Sequence, residues 1–232
     1  NLKKNIFVLI VTIVFSFSSF AERITFSANG MKGQAGNSSS KTILTGNAFV
    51  QTETMEISAD KIELFGNDYR NILAEGNVSG ENFESKMNFS CDILEYDRET
   101  KIALLRGNVV LKDEENGVDA QAQIIEYNQD KDIAILQIEI NLVQKDNLCT
   151  GAFAVYKKTE QILEISGNAQ VKQNNDTFRA QQITLNLETQ DIVLSGNIKG
   201  SVEDVKGDVS EKEEDDENTF EKQQGSEDGN GE

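Results

Sequence analysis

Apolar and polar positions alternate along most of this chain with the two-residue period of a half-buried strand, and the alternation recurs about every 30 residues. A Gly-Asn pair marks the recurrence: Gly46-Asn47, Gly76-Asn77, Gly107-Asn108, Gly167-Asn168 and Gly196-Asn197, at steps of 30, 31, 60 and 29 residues. The double step conceals a degenerate copy, Leu136 to Leu142, with Ile140 in the glycine's place. Four and two residues before each anchor stand Thr42/Leu44, Ile72/Ala74, Ala103/Leu105, Leu136/Ile138, Leu163/Ile165 and Ile192/Leu194. Two residues after it stand Ala48, Val78, Val109, Leu142, Ala169 and Ile198. With even offsets apolar, the glycine is expected on the inward register, where a missing side chain suits a bend, a bulge or a close approach.

A second phrase precedes each anchor by roughly 20 residues, as in Ile57-Ser58-Ala59 and Phe89-Ser90-Cys91. Its last position forms a small column: Ala28, Ala59, Cys91, Ala122, Gly151 and Ala180. Stacked small residues leave room for a facing large side chain or for something that is not protein. Three residues further on stands another apolar position in most copies, such as Ile62, Leu94, Ile125 and Ile183. A step of three breaks two-residue parity, so a bulge or sheet corner is expected there. Polar turn segments, for example Asp97-Arg98-Glu99-Thr100, separate the two halves. Each repeat therefore predicts two strands, and six repeats about twelve. The chain has no proline to interrupt the ladders. The reading is all-β and antiparallel: two sheets stacked face to face, growing along one axis, with each unit burying its apolar face on its neighbours.

Both ends differ from this repeat domain, which is read as residues 22–200. Residues 1–21 combine Lys3-Lys4, an apolar stretch from Ile6 to Phe20 and a small-residue cleavage signal at Ser19-Phe20-Ala21; they are expected to be a cleavable signal peptide for export. The rival reading is an uncleaved anchor, against which the apolar run is short for a span of roughly 18–20 residues. Residues 201–232 carry 13 acidic and 3 basic side chains and few apolar ones, and are expected to be a disordered, solvated tail.

Chemistry is constrained by what is missing. The chain has no histidine, which removes histidine triads, histidine general bases and most zinc sites. No cofactor is expected. Asp68, Asp97 and Asp130 lack the dense Asp/Gly spacing of calcium-binding repeats. Among 40 acidic residues nothing singles out a catalytic pair, although a polysaccharide-active β-solenoid stays open as an alternative. A net charge of −18 argues against nucleic acid as a partner. Cys91 and Cys149, two periods apart in different columns, are expected as buried free thiols.

The recurring Leu-x-Gly-Asn-Val/Ala-x-Val phrase, Ile57 to Leu64 and Phe89 to Asp97 together resemble the OstA-like repeats of the LptA family of periplasmic lipopolysaccharide-transport proteins, over residues 24 to about 200. The resemblance implies an open, twisted β-jellyroll that shelters glycolipid acyl chains and stacks end to end as a bridge from inner to outer membrane. It implies no enzymatic activity. The acidic tail and the copy without glycine depart from the family pattern. On this reading the inward residues Phe89, Leu94, Leu105, Ile125, Ile138, Ile165, Phe178, Ile183 and Leu194 would meet the lipid. Any one of them taken singly reads as packing between sheets; the lipid reading belongs to the columns together. The unpaired strand edges at the ends of an open stack invite strand addition by other jellyroll components, or head-to-tail homo-oligomers. An anchored LptC-like partner and a structural envelope protein without lipid cargo are the alternatives.

Overall fold

The computed structural model describes residues 23–33 and 41–203. The strands are β1 (Thr25–Ser27), β2 (Gly30–Lys32), β3 (Thr42–Gln51), β4 (Met55–Phe65), β5 (Asn71–Asn82), β6 (Met87–Asp97), β7 (Ile102–Asp113), β8 (Val118–Asn128), β9 (Ile133–Gln144), β10 (Asn147–Lys157), β11 (Ile162–Gln173), β12 (Asp176–Asn186), β13 (Ile192–Ser195) and β14 (Lys199–Ser201). One 3-10 turn, Asn67–Tyr69, joins β4 to β5. No helix among the described residues is long and apolar enough to cross a membrane.

All fourteen strands belong to one antiparallel ladder in which sequence neighbours pair. β1 and β2 both pair with β3, and β13 and β14 both pair with β12. The first and last passes are thus single strands split in two, and the expected twelve passes appear as fourteen segments. The strand, turn and repeat boundaries follow the alternation in the sequence. Residues 1–21 lie outside the described residues, as does the acidic tail from residue 204. Ser201, read as the first tail residue, ends β14.

The two layers are the two halves of one sheet, creased along its middle. In each pair from β3/β4 to β11/β12 the register shifts beside the anchor: Thr45 pairs with Lys61, but Ala48 pairs with Ala59. Two residues there oppose one, a β-bulge repeated in every unit. Layer one holds the first halves of odd strands β3–β11 and the second halves of even strands β4–β12; layer two holds the rest.

The structure departs from two sequence expectations. The anchor glycines do not point inward. Gly107 and Asn108 both have positive φ, 77° and 48°, and with their equivalents they form the outer ridge of the crease. Nor does Ile140 occupy the glycine's place. The residues with positive φ in that copy are Ile138 (67°) and Glu139 (54°), while Ile140 is buried. The anchors therefore fall at 46, 76, 107, 138, 167 and 196. The frame slipped by two because a strand's period is two, and Leu136, Ile138, Ile140 and Leu142 are all apolar.

Candidate functional site

Between the layers runs a continuous apolar interior built from cross-strand ladders. In layer one, register partners connect Met31, Leu44, Ile62, Ala74, Leu94, Leu105, Ile125, Leu136, Ala154, Ile165, Ile183 and Leu194 without a break. In layer two a second ladder passes from Phe26 through Gly80, Phe89, Leu111, Leu142, Cys149 and Val171 to Phe178 and Gly200. Eight of the nine residues singled out in the sequence stand in these two ladders. Leu94, Leu105, Ile125, Ile165 and Ile183 are buried, whereas Phe89, Phe178 and Leu194 are half-buried. Ile138 does not join them. It lies on the outer ridge with 51% of its surface exposed, because the bulge turns it outward. Leu136, which the shifted frame placed at −4 and left out of the lipid-facing set, holds the inward place at −2 instead.

Beside the crease, where the layers converge, small residues pair across strands: Ala48 with Ala59, Val109 with Ala122, Ala169 with Ala180. Large aliphatic and aromatic residues follow. Glycines give way to them: a Cβ on Gly80 would strike the Phe89 ring, and one on Gly151 would strike Ile165. The space left by the small column is therefore taken at Gly151 by a facing protein side chain. The ladder residues pack on one another, and open cavities of about 530 Å³ lie on the surface, one beside Phe65, Leu73, Ile102 and Leu104 and another beside Asn168, Arg179 and Asn197.

The free edges of the layers form two lips. The lip of layer one alternates Tyr96, Ala103, Tyr127, Ala134 and Tyr156. The lip of layer two carries a buried polar column, Asn82, Asp113, Gln144 and Asn147, interleaved with Met87 and Val118. Backbone hydrogen bonds between successive turns tie each lip into a rail: Lys158 N–H to Asp132 C=O (2.9 Å) and Leu187 N–H to Gln161 C=O (2.8 Å) on one side, Phe83 N–H to Thr54 C=O (2.8 Å) on the other.

Side chains cross from lip to lip. The Tyr156 hydroxyl donates to Asp113 Oδ2 (2.8 Å), and Lys158 Nζ donates to Asp113 Oδ1 (3.1 Å) and Glu115 Oε2 (2.8 Å). Gln144 Nε2 reaches the Leu187 carbonyl (3.2 Å), and Asn147 Nδ2 donates to Gln190. Burial alone would raise the Asp113 carboxyl. The hydrogen bonds from Asn116, Tyr156 and Lys158 outweigh it and hold the group below its ordinary range. Burial likewise opposes the charge on Lys158, but Glu115 and Asp113 raise it overall. Burial first, and Asp113 second, push the Tyr156 phenol upward. Cys91 and Cys149 are free, buried thiols pushed up to about 12 by burial. Among the described residues no group of three or more acidic or cysteine side chains is placed to hold a metal ion.

No curated protein sequence matches this chain. Among solved structures it is similar to the crystal structure of LptH from Pseudomonas aeruginosa, described as the LptA-homologous periplasmic component of the conserved lipopolysaccharide transport device. The identity is 18% and the TM-score 0.49, over 52% of this chain and 97% of that one. The family described as "LptA/(LptD N-terminal domain) LPS transport protein" matches residues 28–132 and again 90–191, so the two matches together span 28–191 and nearly all of the creased sheet. The chain belongs to the LptA/LptD N-terminal-domain family of LPS transport proteins.

Proposed function

We propose that this protein is a periplasmic, non-enzymatic carrier that takes lipopolysaccharide or a related glycolipid from the inner toward the outer membrane, with the acyl chains between the two layers. The observation that carries this reading is the unbroken layer-one ladder from Met31 to Leu194. A row of aliphatic side chains along the stack offers an acyl chain equivalent surroundings at every repeat. At about 0.8 kcal/mol per buried methylene, a 12-carbon chain gains roughly 9 kcal/mol gross. Part of that is offset by the contacts the ladder residues make with each other when the interior is empty. The lipid-facing set is Phe89, Leu94, Leu105, Ile125, Leu136, Ile165, Phe178, Ile183 and Leu194, without Ile138.

The two ends of the stack support assembly. Among the described residues, β1 and β2 leave one strand edge unpaired beside exposed Phe26 and Met31; β13 and β14 leave the other beside exposed Val193 and Ile198. These edges suit strand addition by another jellyroll or a second copy, head to tail. A photo-crosslinking residue tests the cargo path. Placed at Leu105 it should capture lipopolysaccharide in cells, and placed at the adjacent, outward Leu104 it should not. Equal capture at both positions, or none at Leu105, overturns the reading.

A further inference from the structure

The interior is apolar, yet the lips that close it are polar, tied by two clusters: Asp113, Glu115 and Asn116 with Tyr156 and Lys158, and Gln144, Lys145 and Asn147 with Leu187 and Gln190. Asp113 and Lys158 are 2% and 5% exposed, and their contact joins layer two to layer one across the seam. A buried ion pair adds little net stability, but a buried charge robbed of its partner needs water. Here water is reached by parting the lips. The closed seam is also incompletely satisfied. Asn82 Nδ2, Asn147 Oδ1 and Gln129 Nε2 are buried on the lips without a hydrogen-bond partner among the described residues. Such atoms make closure costly, and opening hands them to solvent. Opposite the seam, the crease repeats a pair of left-handed residues in strands β3, β5, β7, β9 and β11, an aligned hinge line. Between hinge and seam, the rails let each lip move as one piece.

We propose that Asp113, Tyr156 and Lys158 form a latch that holds a lateral mouth shut and is released as an acyl chain passes sideways between the lips. The inference rests on the carrier reading above and adds the route and the part that controls it. Lys158→Ala strands the Asp113 carboxylate and favours the open mouth. The apolar triple variant Asp113→Leu/Tyr156→Phe/Lys158→Met seals the seam without charge and favours the closed one. Lys157→Ala, which removes a lysine at the end of β10 bonded to Glu164 on the neighbouring strand β11, is the control.

Two measurements on the full chain test the latch. Without lipid, amide hydrogen exchange in the turns at 114–117 and 158–161 should quicken in Lys158→Ala, slow in the triple variant and stay unchanged in the control. With dodecanoic acid carrying an environment-sensitive fluorophore, the association rate should rise about tenfold in Lys158→Ala and fall about tenfold in the triple variant. If Lys158→Ala does not fold, the triple variant still decides by its slower uptake and exchange. Unaltered exchange and rates in the variants overturn the latch while leaving the carrier reading standing. A wild-type chain that takes up no acyl probe overturns the carrier reading, and the latch with it.

Discussion

The crease is the feature most open to a quantitative test, and Gly107→Ala is the sharpest perturbation. Gly107 has φ 77°, and a Cβ added there would lie 2.9 Å from both Cβ and Cγ of Asp92. A left-handed conformation costs an L-residue about 1–2 kcal/mol. The carboxylate must also swing away, which breaks the 2.9 Å hydrogen bond from Asn108 Nδ2 to Asp92 Oδ2. That exposed bond contributes roughly 0.5–1 kcal/mol. Against these terms, alanine reduces the freedom of the unfolded chain by about 0.4–1 kcal/mol. The net loss is about 1–2 kcal/mol, or roughly 2–8 °C in thermal midpoint for a domain of this size. Gly117→Ala is the internal reference: its φ is 62°, but nothing lies within 4 Å of the added Cβ. Thermal unfolding followed by circular dichroism should place Gly107→Ala below Gly117→Ala. Equal midpoints for the two variants would refute the claim that the crease is built on close contact between glycine and the facing strand.

The converse substitution, Ile138→Gly, should stabilise the fold by about 0.5–1 kcal/mol, since a β-branched residue at φ 67° is relieved and its half-exposed side chain contributes little; a lower urea midpoint than wild type would count against it. Ile125→Asp, in the buried ladder, should prevent folding, whereas Ile138→Asp should give soluble, folded protein that still carries lipid; loss of folding in both would return Ile138 to the interior. Stability should fall as pH rises above about 8.5, the ordinary cysteine value, because unfolded thiols lose protons that Cys91 and Cys149 keep until about 12. The upward shifts of Tyr127 and Tyr156 act in the same direction, and equal urea midpoints at pH 7.5 and pH 10.5 would contradict this. The Asp113 contribution is present above the ordinary aspartate value and is lost as pH falls through its lowered one, so Asp113→Asn should flatten the acid limb of the stability curve.

The strands were legible because alternation and period are local signals, and five Gly-Asn pairs repeat both. The fourth copy resisted for a physical reason: a period of two leaves a frame undetermined by two residues, and Ile138 gives no sign that its backbone turns left-handed. Only its spacing, 31 residues from Gly107 and 29 from Gly167, pointed to it. Eight inward residues were readable from the two repeated phrases: Leu105, Ile165 and Leu194 by parity with the anchors, and Phe89, Leu94, Ile125, Phe178 and Ile183 by their place around the small column. The lips were not, since Asp113, Gln144 and Lys158 read as ordinary solvated residues near turns. What buries them is contact between segments 43 to 45 residues apart, set by how the sheet closes on itself.

Because every unit adds two strands to a single ladder, the span of this protein is counted in steps. Neighbouring strands sit about 4.8 Å apart, so one unit corresponds to about 10 Å of reach. A gene that gains or loses one 31-residue segment between equivalent anchors, such as Gly107 and Ile138, changes that reach by one step while leaving ridge, ladders and lips in register. The distance such a protein bridges can then evolve by duplication, with no new packing problem to solve.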